Sequence, residues 1–303
     1  MLGKGSVYAE ECRNGGFIGA DFAFDFDLTN YLSENWRDFN KQFIPYFMNK
    51  NSDKTKVAAG LACGALHTIS KGIHIGDVIL SPNGSGSYYI GEVTADYSYQ
   101  PNQVLPHRRM VHWFNQTIER SEMSIELKNS SGSIGTVSEV TKYATEIEGH
   151  LSGSELIPTI IATDASIEDP TVFALEKHLE EFLVHNWKQT ELGKNYDIFE
   201  DEGQQIGRQY PSDTGPIDVL AISKDKKELL IVELKRGRAS DQVVGQIQRY
   251  MGYVLQELAE PGQSVKGVII ALEDDIRVRR ALAVANNISF YRYEVSFKLF
   301  KSV

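Results

Sequence analysis

Two short runs decide the fold of this chain: Gly215-Pro216-Ile217-Asp218-Val219-Leu220-Ala221-Ile222 and Leu229-Leu230-Ile231-Val232-Glu233-Leu234-Lys235. Both are apolar and partly β-branched, which predicts two buried strands. The polar segment 224–227 between them predicts a hairpin loop. If the turn is centred between residues 225 and 226, antiparallel pairing places Asp218 opposite Glu233, and facing side chains in such a pair lie roughly 5 Å apart.

This register brings unlike charges together at one end of the hairpin. Strand side chains alternate between faces, so Glu233 and Lys235 point the same way. Two carboxylates at this spacing repel each other unless a cation or a proton lies between them. A divalent metal bound by oxygen ligands is the simplest solution. The hairpin therefore predicts a metal site formed by Asp218 and Glu233, with Lys235 beside it.

Length and composition limit the classes of protein to consider. The chain has 303 residues, which suggests two domains, and 42% hydrophobic residues, which is enough for ordinary cores. The net charge of −10 argues against a surface that is positive all over for binding nucleic acid. A local basic groove stays compatible with this charge, because binding depends on where the charges lie.

The cysteines and the apolar runs bear on the compartment. Only Cys12 and Cys63 occur, which is not a disulfide framework and provides no CxxC zinc motif. Residues 1–6 lack the apolar region of a signal peptide. No run approaches the roughly 20 apolar residues that span a bilayer. We expect a soluble, cytoplasmic protein in a reducing compartment with no membrane partner.

The N-terminal half, residues 1–153, is predicted to be a small β-barrel domain with helices. Apolar periodicity predicts helices over 35–47, 56–69 and 136–150. Alternation and glycine-rich turns predict strands over 76–82, 88–94 and 107–114. Residues 154–170 are expected to form a linker, and residues 171–303 a second domain.

The C-terminal half alternates between helical and strand patterns. Helices are predicted over 171–187, 242–258 and 275–285. The two runs quoted above are joined by further strands at 206–211, 267–272 and 288–293. The order helix, three strands, helix, strand, helix, strand predicts an α/β (α+β) core with a mixed sheet flanked by helices.

The acidic motif resembles the PD-(D/E)xK nuclease superfamily. The matching residues are Glu176 on a helix, Asp218, Glu233-Leu234-Lys235, and Gln246 with Tyr250 on the following helix. Over roughly residues 170–295 the chain looks most like the nuclease domain of NucS/EndoMS endonucleases, and more distantly like Mrr-type enzymes. The superfamily's proline is replaced by Ile217, with Pro216 one position earlier.

The resemblance implies metal-assisted hydrolysis of phosphodiester bonds in DNA. Asp218 and Glu233 would hold Mg²⁺ or Mn²⁺, with the backbone carbonyl of Leu234 as a further ligand. Lys235 would orient or activate the attacking water, or stabilise charge that develops on the phosphate.

Other residues are assigned supporting roles by the same resemblance. Glu176 would reach the metal through water, and Glu180, one helical turn further on, is the alternative. Gln246 and Tyr250 would support the site or contact the nucleic-acid backbone. Nearby arginines could bind phosphate or form a solvated rim: Arg236, Arg238 and Arg249.

A second resemblance covers the N-terminal half. Residues 76–82, 89–93 and 107–113 look similar to PUA/EVE-like barrels, which can hold a flipped base against aromatic side chains. Arg108 and Arg109 are then candidate phosphate contacts. Candidate pocket walls, for which core packing is the alternative, are Trp36, Tyr97, Tyr99 and Trp113.

These observations favour a metal-dependent DNA endonuclease of a restriction or phage-defence system, with an N-terminal domain that recognises DNA with or without a modified base. One alternative is a NucS-like repair endonuclease acting on mismatched or branched DNA. Another is a non-catalytic nucleic-acid-binding protein that kept the fold. A homodimer is expected for cutting both strands, since each strand needs an active site.

Overall fold

The computed structural model describes residues 2–131, 136–152 and 170–294. The chain divides into two compact units, Met1–Thr159 and Ile160–Val303. The linker predicted for residues 154–170 lies, apart from Pro170, outside the described residues. Its bounds, and with them the predicted domain limits, stay a prediction.

The N-terminal unit combines helices with a sheet. Its elements are α1 (Ala9–Gly15), β1 (Phe17–Ala20), α2 (Trp36–Lys50), α3 (Lys56–His67), β2 (Val78–Pro82), β3 (Ser87–Val93), β4 (Ser98–Tyr99), β5 (His107–Glu119), α4 (Ile125–Ser131) and α5 (Ala144–Ser152). The strand path is β1-β5-β3-β2, with β4 also paired to β5. The predicted N-terminal β domain with helices is present. The helix predicted over 136–150 begins only at Ala144.

Aromatic side chains of α2 form the centre of the core of this unit. Phe39 and Phe43 lie one helical turn apart with ring centroids 4.5 Å from each other, and both are buried with Val93 and Val111 of the sheet. The apolar face predicted from the spacing of Phe39 and Phe43 therefore packs inward.

His107 lies at the start of β5 and is fully buried. Its Nε2 lies 2.8 Å from the carbonyl oxygen of Phe24, which can only accept, so Nε2 carries the hydrogen. Its Nδ1 lies 2.8 Å from the hydroxyl of Tyr97. Burial lowers the pKa of His107 below its ordinary value, and the bond to Phe24 opposes this shift only in part. The ring is therefore neutral at pH 7.

We expect the N-terminal unit to lose stability as the pH falls below about 6.5. Unfolded His107 binds a proton there, while the buried ring resists one, so the unfolded state binds more protons. Each such histidine contributes a slope of up to about 1.4 kcal/mol per pH unit. Burial also lowers the pKa of His67, which adds to the slope.

Urea unfolding between pH 5 and 7.5, with hydrogen exchange reporting on peptides of β5, measures this slope. His107→Gln should reduce it, because the proton uptake on unfolding at this site is lost. His112→Gln, at an exposed position of the same strand, is the matched control and should leave the slope unchanged. Equal slopes in the two variants would contradict the assignment to His107.

The C-terminal unit alternates helices and strands. Its elements are α6 (Pro170–His185), β6 (Tyr196–Ile198), β7 (Arg208–Ser212), β8 (Gly215–Ser223), β9 (Glu228–Arg238), α7 (Gln242–Tyr253), β10 (Ser264–Glu273), α8 (Ile276–Leu282) and β11 (Ile288–Arg292). The strand order is β11-β10-β9-β8-β6, with β7 paired to β8. Strands β9, β10 and β11 are parallel, whereas β6, β7 and β9 pair antiparallel with β8. The predicted mixed sheet flanked by helices is confirmed.

Alternation along the central strands decides which way the acidic side chains point. Val219 and Val232 belong to a buried cluster with Val184 of α6 and with Trp187 just beyond it. Neighbouring strand residues point to opposite faces, so Glu233 lies on the other face of the sheet.

On the described part of the chain, no helix is long and apolar enough to cross a membrane.

Candidate active site

The register of the β8–β9 hairpin is the one predicted. The paired residues run from Ile222 opposite Leu229 to Val219 opposite Val232. One step further along the same ladder, Asp218 faces Glu233. The turn between the strands is polar and exposed, and it is closed by a backbone bond from Lys226 to Ser223. The hairpin thus brings the two acids together at one strand end, as the sequence indicated.

Asp218 is held by hydrogen bonds at both carboxylate oxygens. Its Oδ2 accepts from the backbone N–H of Leu234 at 2.7 Å, and its Oδ1 accepts from Nε2 of Gln209 at 3.1 Å. Burial raises the pKa of Asp218 well above its ordinary value, and the charge of Glu233 raises it further. The ionised form of this carboxyl is therefore disfavoured until a positive charge approaches it.

Glu233 and Lys235 form an ion pair on the same face of β9. The Nζ of Lys235 lies 2.9 Å from Oε1 of Glu233. Glu233 is buried and Lys235 half-buried. On the neighbouring strand β10, the residue beside Lys235 is Ala271, whose small side chain leaves room for the lysine. The predicted convergence of two carboxylates and one ammonium is confirmed.

Gln246 and Tyr250 lie one turn apart on α7, beside this site. Nε2 of Gln246 donates to the hydroxyl of Tyr250 at 3.1 Å. Burial raises the pKa of Tyr250, and the charges of Glu233 and Asp218 add to the shift. The hydroxyl also approaches Gly215, where a Cβ would lie 3.1 Å from it and where φ is +124°. Glycine at the start of β8 therefore lets the tyrosine come close to the site.

Of the two candidate acids on α6, the structure connects Glu180 to the site. Glu180 is buried and accepts hydrogen bonds from Nε of Arg208 and Nε2 of Gln209. The side chain of Glu176 lies outside the described residues. Glu180 thus reaches Asp218 through Gln209, because the same amide donates to both carboxylates.

Arg208 and Gln209 were missed by sequence reasoning. The signal that could have found Gln209 is again a register. Arg208 pairs with Val219 and Tyr210 with Ile217, so Gln209 faces Asp218 across the β7–β8 hairpin.

The C-terminal arginines lie at the same end of β9 and on α7. Arg236 is half-buried, while Arg238 and Arg249 are exposed. Nε of Arg238 lies 3.8 Å from a carboxylate oxygen of Glu273. Their contact with a nucleic acid stays a prediction.

The N-terminal arginines hold the fold together. Arg109 is only 4% exposed, and its guanidinium donates to the carbonyl oxygens of Ile69 and Ser70 and contacts Asp96 at 3.2 Å. The prediction that Arg109 binds phosphate is therefore wrong, because its donors are used inside the domain.

Arg108 and Trp113 also have partners within the domain. Arg108 donates to two carbonyl oxygens of the preceding loop and its guanidinium lies 3.7 Å from the ring centroid of Phe17. Nε1 of Trp113 donates to the carbonyl oxygen of Cys12 at 3.1 Å. These contacts fit core packing, and a role of either residue in binding nucleic acid stays a prediction.

The donor set of the site fits a divalent metal. Asp218 and Glu233 offer carboxylate oxygens, which Mg²⁺ and Mn²⁺ prefer. The raised pKa of Asp218 beside Glu233 shows that negative charge in this pocket is poorly compensated. Among the described residues, no group of three His, Cys, Asp or Glu side chains could hold a metal ion. A metal here would depend on the two carboxylates, completed by a backbone carbonyl such as that of Leu234, or by water.

Family models match both halves of the chain. Residues 4–141 match the model described as Domain of unknown function (DUF8426). Residues 176–298 match the model described as Endonuclease NucS C-terminal domain.

Three relatives of known sequence are named Endonuclease NucS. The protein of Methanocaldococcus jannaschii is 36% identical over 78 residues, which are 26% of this chain and 28% of the relative. That of Sulfolobus acidocaldarius is 36% identical over 78 residues, 25% of this chain and 29% of the relative. That of Pyrococcus abyssi is 31% identical over 78 residues, 26% of this chain and 30% of the relative. The matched segment thus spans less than a third of each relative.

Two solved structures resemble the chain at low similarity. An EndoMS–dsDNA complex has a TM-score of 0.33 at 14% identity, over 73% of this chain and 66% of that chain. A repair endonuclease from Pyrococcus abyssi has a TM-score of 0.28 at 15% identity, over 72% of this chain and 65% of that chain. On the strength of the family model and the sequence relatives, the C-terminal half of this chain is similar to the C-terminal domain of endonuclease NucS.

Proposed function

We propose that this protein is a metal-dependent DNA endonuclease of the repair type, acting on mismatched or branched DNA. The observation that carries this proposal is the convergence of Asp218, Glu233 and Lys235 at one strand end in a domain that matches the NucS C-terminal family. An isolated ion pair would not require a second acid at Asp218, which is half-buried.

The proposed roles follow from the positions of the side chains. Asp218 and Glu233 would hold Mg²⁺ or Mn²⁺, which when bound polarises the scissile phosphate and lowers the pKa of a bound water. Lys235, 2.9 Å from Glu233, keeps a positive charge next to the position where the phosphate charge develops. Gln246 holds the hydroxyl of Tyr250 at the rim of the site, where both could contact the nucleic-acid backbone.

The repair hypothesis is preferred to the restriction hypothesis, which the sequence alone placed first. The relatives that match the C-terminal half carry the name Endonuclease NucS, and no comparison supports a role in restriction or phage defence. Retention of the acidic pair and the lysine argues against a non-catalytic binding protein. We also expect a homodimer, because cutting both strands of a duplex needs two active sites.

Cleavage assays on a panel of DNA substrates test the proposal. Mismatched, branched, base-modified, unmodified and single-stranded DNA should be incubated with Mg²⁺ or Mn²⁺, and separately with EDTA. We expect cleavage of mismatched or branched DNA that stops in EDTA. Lys235→Met should lower the rate by roughly 100-fold, since it removes one charge that stabilises the transition state.

The other outcomes separate the remaining hypotheses. Cleavage limited to base-modified DNA would select restriction and overturn the repair proposal. No cleavage of any of these substrates by the wild type would overturn the enzyme assignment. Light scattering on the intact protein, with a monomer mass as the contrary result, tests the homodimer.

A further inference from the structure

Gln209 lies in a row of side chains that crosses three strands of the sheet. On one side of β8 the register places Gln209 of β7 opposite Asp218. On the other side the register ends at Val219 opposite Val232, so that Glu233 is the next residue of β9 beside Asp218, whose carboxylate also accepts from the N–H of Leu234. Asp218 is therefore flanked by an amide on one side and by a carboxylate on the other.

The amide of Gln209 joins two acids that come from different elements. A primary amide carries two N–H donors, and Nε2 of Gln209 donates both to carboxylates: Oδ1 of Asp218 on β8 at 3.1 Å, and Oε2 of Glu180 on α6. The other oxygen of Glu180 accepts from Nε of Arg208. Glu180 thus binds two consecutive residues of β7, Arg208 and Gln209. Gln209 in turn restricts the orientation of the Asp218 carboxylate.

These bonds determine how the Asp218 carboxylate is turned. Its two oxygens face different donors, the Leu234 amide and the Gln209 side chain. An ionised carboxylate offers about four acceptor positions, so two stay available for a cation. With a donor on each oxygen, the carboxylate is held in one orientation and needs little reorganisation when a cation arrives.

The backbone of Gln209 adopts an unusual conformation, which indicates that its side chain is needed at this position. Its φ of +48° lies in the left-handed region, which is uncommon for a residue other than glycine, asparagine or aspartate. Strained backbone of this kind persists where the surroundings hold it in place, often at functional sites. Here the bonds that Arg208 and Gln209 donate to Glu180 hold it.

We propose that Gln209 is a positioning residue of the metal site: its amide fixes the Asp218 carboxylate and couples it to Glu180, so that the α6 acid acts on the site through Gln209. This inference rests on the proposed metal site and deepens it.

Binding of Mn²⁺ alone, measured from the EPR signal of the free ion, tests the inference without DNA. Gln209→Met keeps the length of the side chain but removes both donors. Its dissociation constant for Mn²⁺ should rise by about 10 to 100 times, which is the usual effect of losing a residue that orients a metal ligand. Gln256→Met, at an exposed position, is the matched control and should bind Mn²⁺ like the wild type.

A double-mutant cycle tests the coupling. Glu180→Gln should also weaken Mn²⁺ binding, and the double variant should bind no more weakly than the weaker of the two singles, because both changes break one chain of contacts. Effects that multiply would mean that Glu180 acts on the metal without Gln209. Melting of the metal-free variants, expected to occur at nearly the wild-type temperature, excludes a folding defect; Gln209→Gly, which tolerates the positive φ, is the substitute if Gln209→Met does not fold.

The outcomes distinguish this inference from the proposed function. Unchanged Mn²⁺ binding in Gln209→Met would overturn the inference even if the wild type cleaves DNA. Mn²⁺ binding that depends on Gln209, in a wild type that cleaves no DNA, would support the inference and overturn the proposed function. No Mn²⁺ binding by the wild type would overturn the inference.

Discussion

Asp218→Asn is expected to lower DNA cleavage by at least about 1,000-fold while the metal-free protein stays as stable as the wild type or becomes more stable. Asparagine keeps the shape of the side chain and can still accept from the Leu234 amide, but it removes one of the two metal-binding charges. The loss of activity thus comes from a lost ligand and not from a lost fold.

The expected gain or retention of stability follows from the electrostatics of the two carboxylates. Burial and the charge of Glu233 both raise the pKa of Asp218, which means that its ionised form is unfavourable in the folded protein. A neutral side chain removes this repulsion. An ordinary structural ion pair would behave in the reverse way, because deleting one partner leaves the other charge uncompensated.

Thermal unfolding with and without Mn²⁺ checks the effect on stability, and cleavage rates check the loss of activity. The wild type should gain melting temperature when Mn²⁺ is added, because a ligand that binds only the folded state stabilises it, and Asp218→Asn should gain much less. Asp213→Asn, in the exposed turn that precedes β8, is the matched control for removing one acidic charge. A variant that is strongly destabilised without metal, or one that still cleaves, would contradict the metal-ligand role.

The sequence was sufficient to place the acidic pair, because two simple constraints agreed. Apolar runs fixed the two strands, and a short polar turn fixed their register, so that Asp218 and Glu233 had only one way to meet. The predicted mixed sheet flanked by helices agrees with the parallel pairing of β10 with β9, since parallel neighbours need a crossover connection, which here contains α7.

Gln209 was missed and Arg109 was assigned wrongly, for two different physical reasons. Gln209 lies on a short strand, β7, whose backbone departs from extended geometry at this very residue, and a left-handed φ leaves no mark in a hydrophobic pattern. The prediction that Arg109 binds phosphate was wrong for another reason. Alternation predicts which face of a strand a side chain occupies, but it does not reveal that the face of Arg109 is covered by Ile69 and Ser70, which come from distant sequence.

Gly207→Ala is expected to destabilise the C-terminal unit by about 3 kcal/mol or more, because a single added methyl group would overlap two backbone segments. Gly207 lies between two backbone segments: its N–H donates to Phe199 at 2.9 Å, and its carbonyl accepts from Leu220 at 2.7 Å. A Cβ at this position would lie 2.1 Å from the carbonyl oxygen of Leu220 and 2.9 Å from the nitrogen of Phe199.

No side chain can rotate away to relieve this overlap, because both close atoms belong to the backbone. Strand β8 would have to move by about an ångström or more, since ordinary contacts begin near 3.4 Å. Leu220 lies two residues from Asp218, and Gly207 lies two residues from Gln209. The shift would therefore also disturb the site, and cleavage should fall along with stability.

Urea unfolding of the intact protein, followed by hydrogen exchange in β8 and β9, measures the effect. Gly252→Ala is the matched control. It lies within α7, where a Cβ would meet nothing within 4 Å, so the change should stabilise the unit by about 0.5–1 kcal/mol through helix propensity. If Gly207→Ala unfolded at the same urea concentration as the wild type, β8 would be able to move without loss of stability. That result would contradict the rigid placement of Asp218 between Gln209 and Glu233.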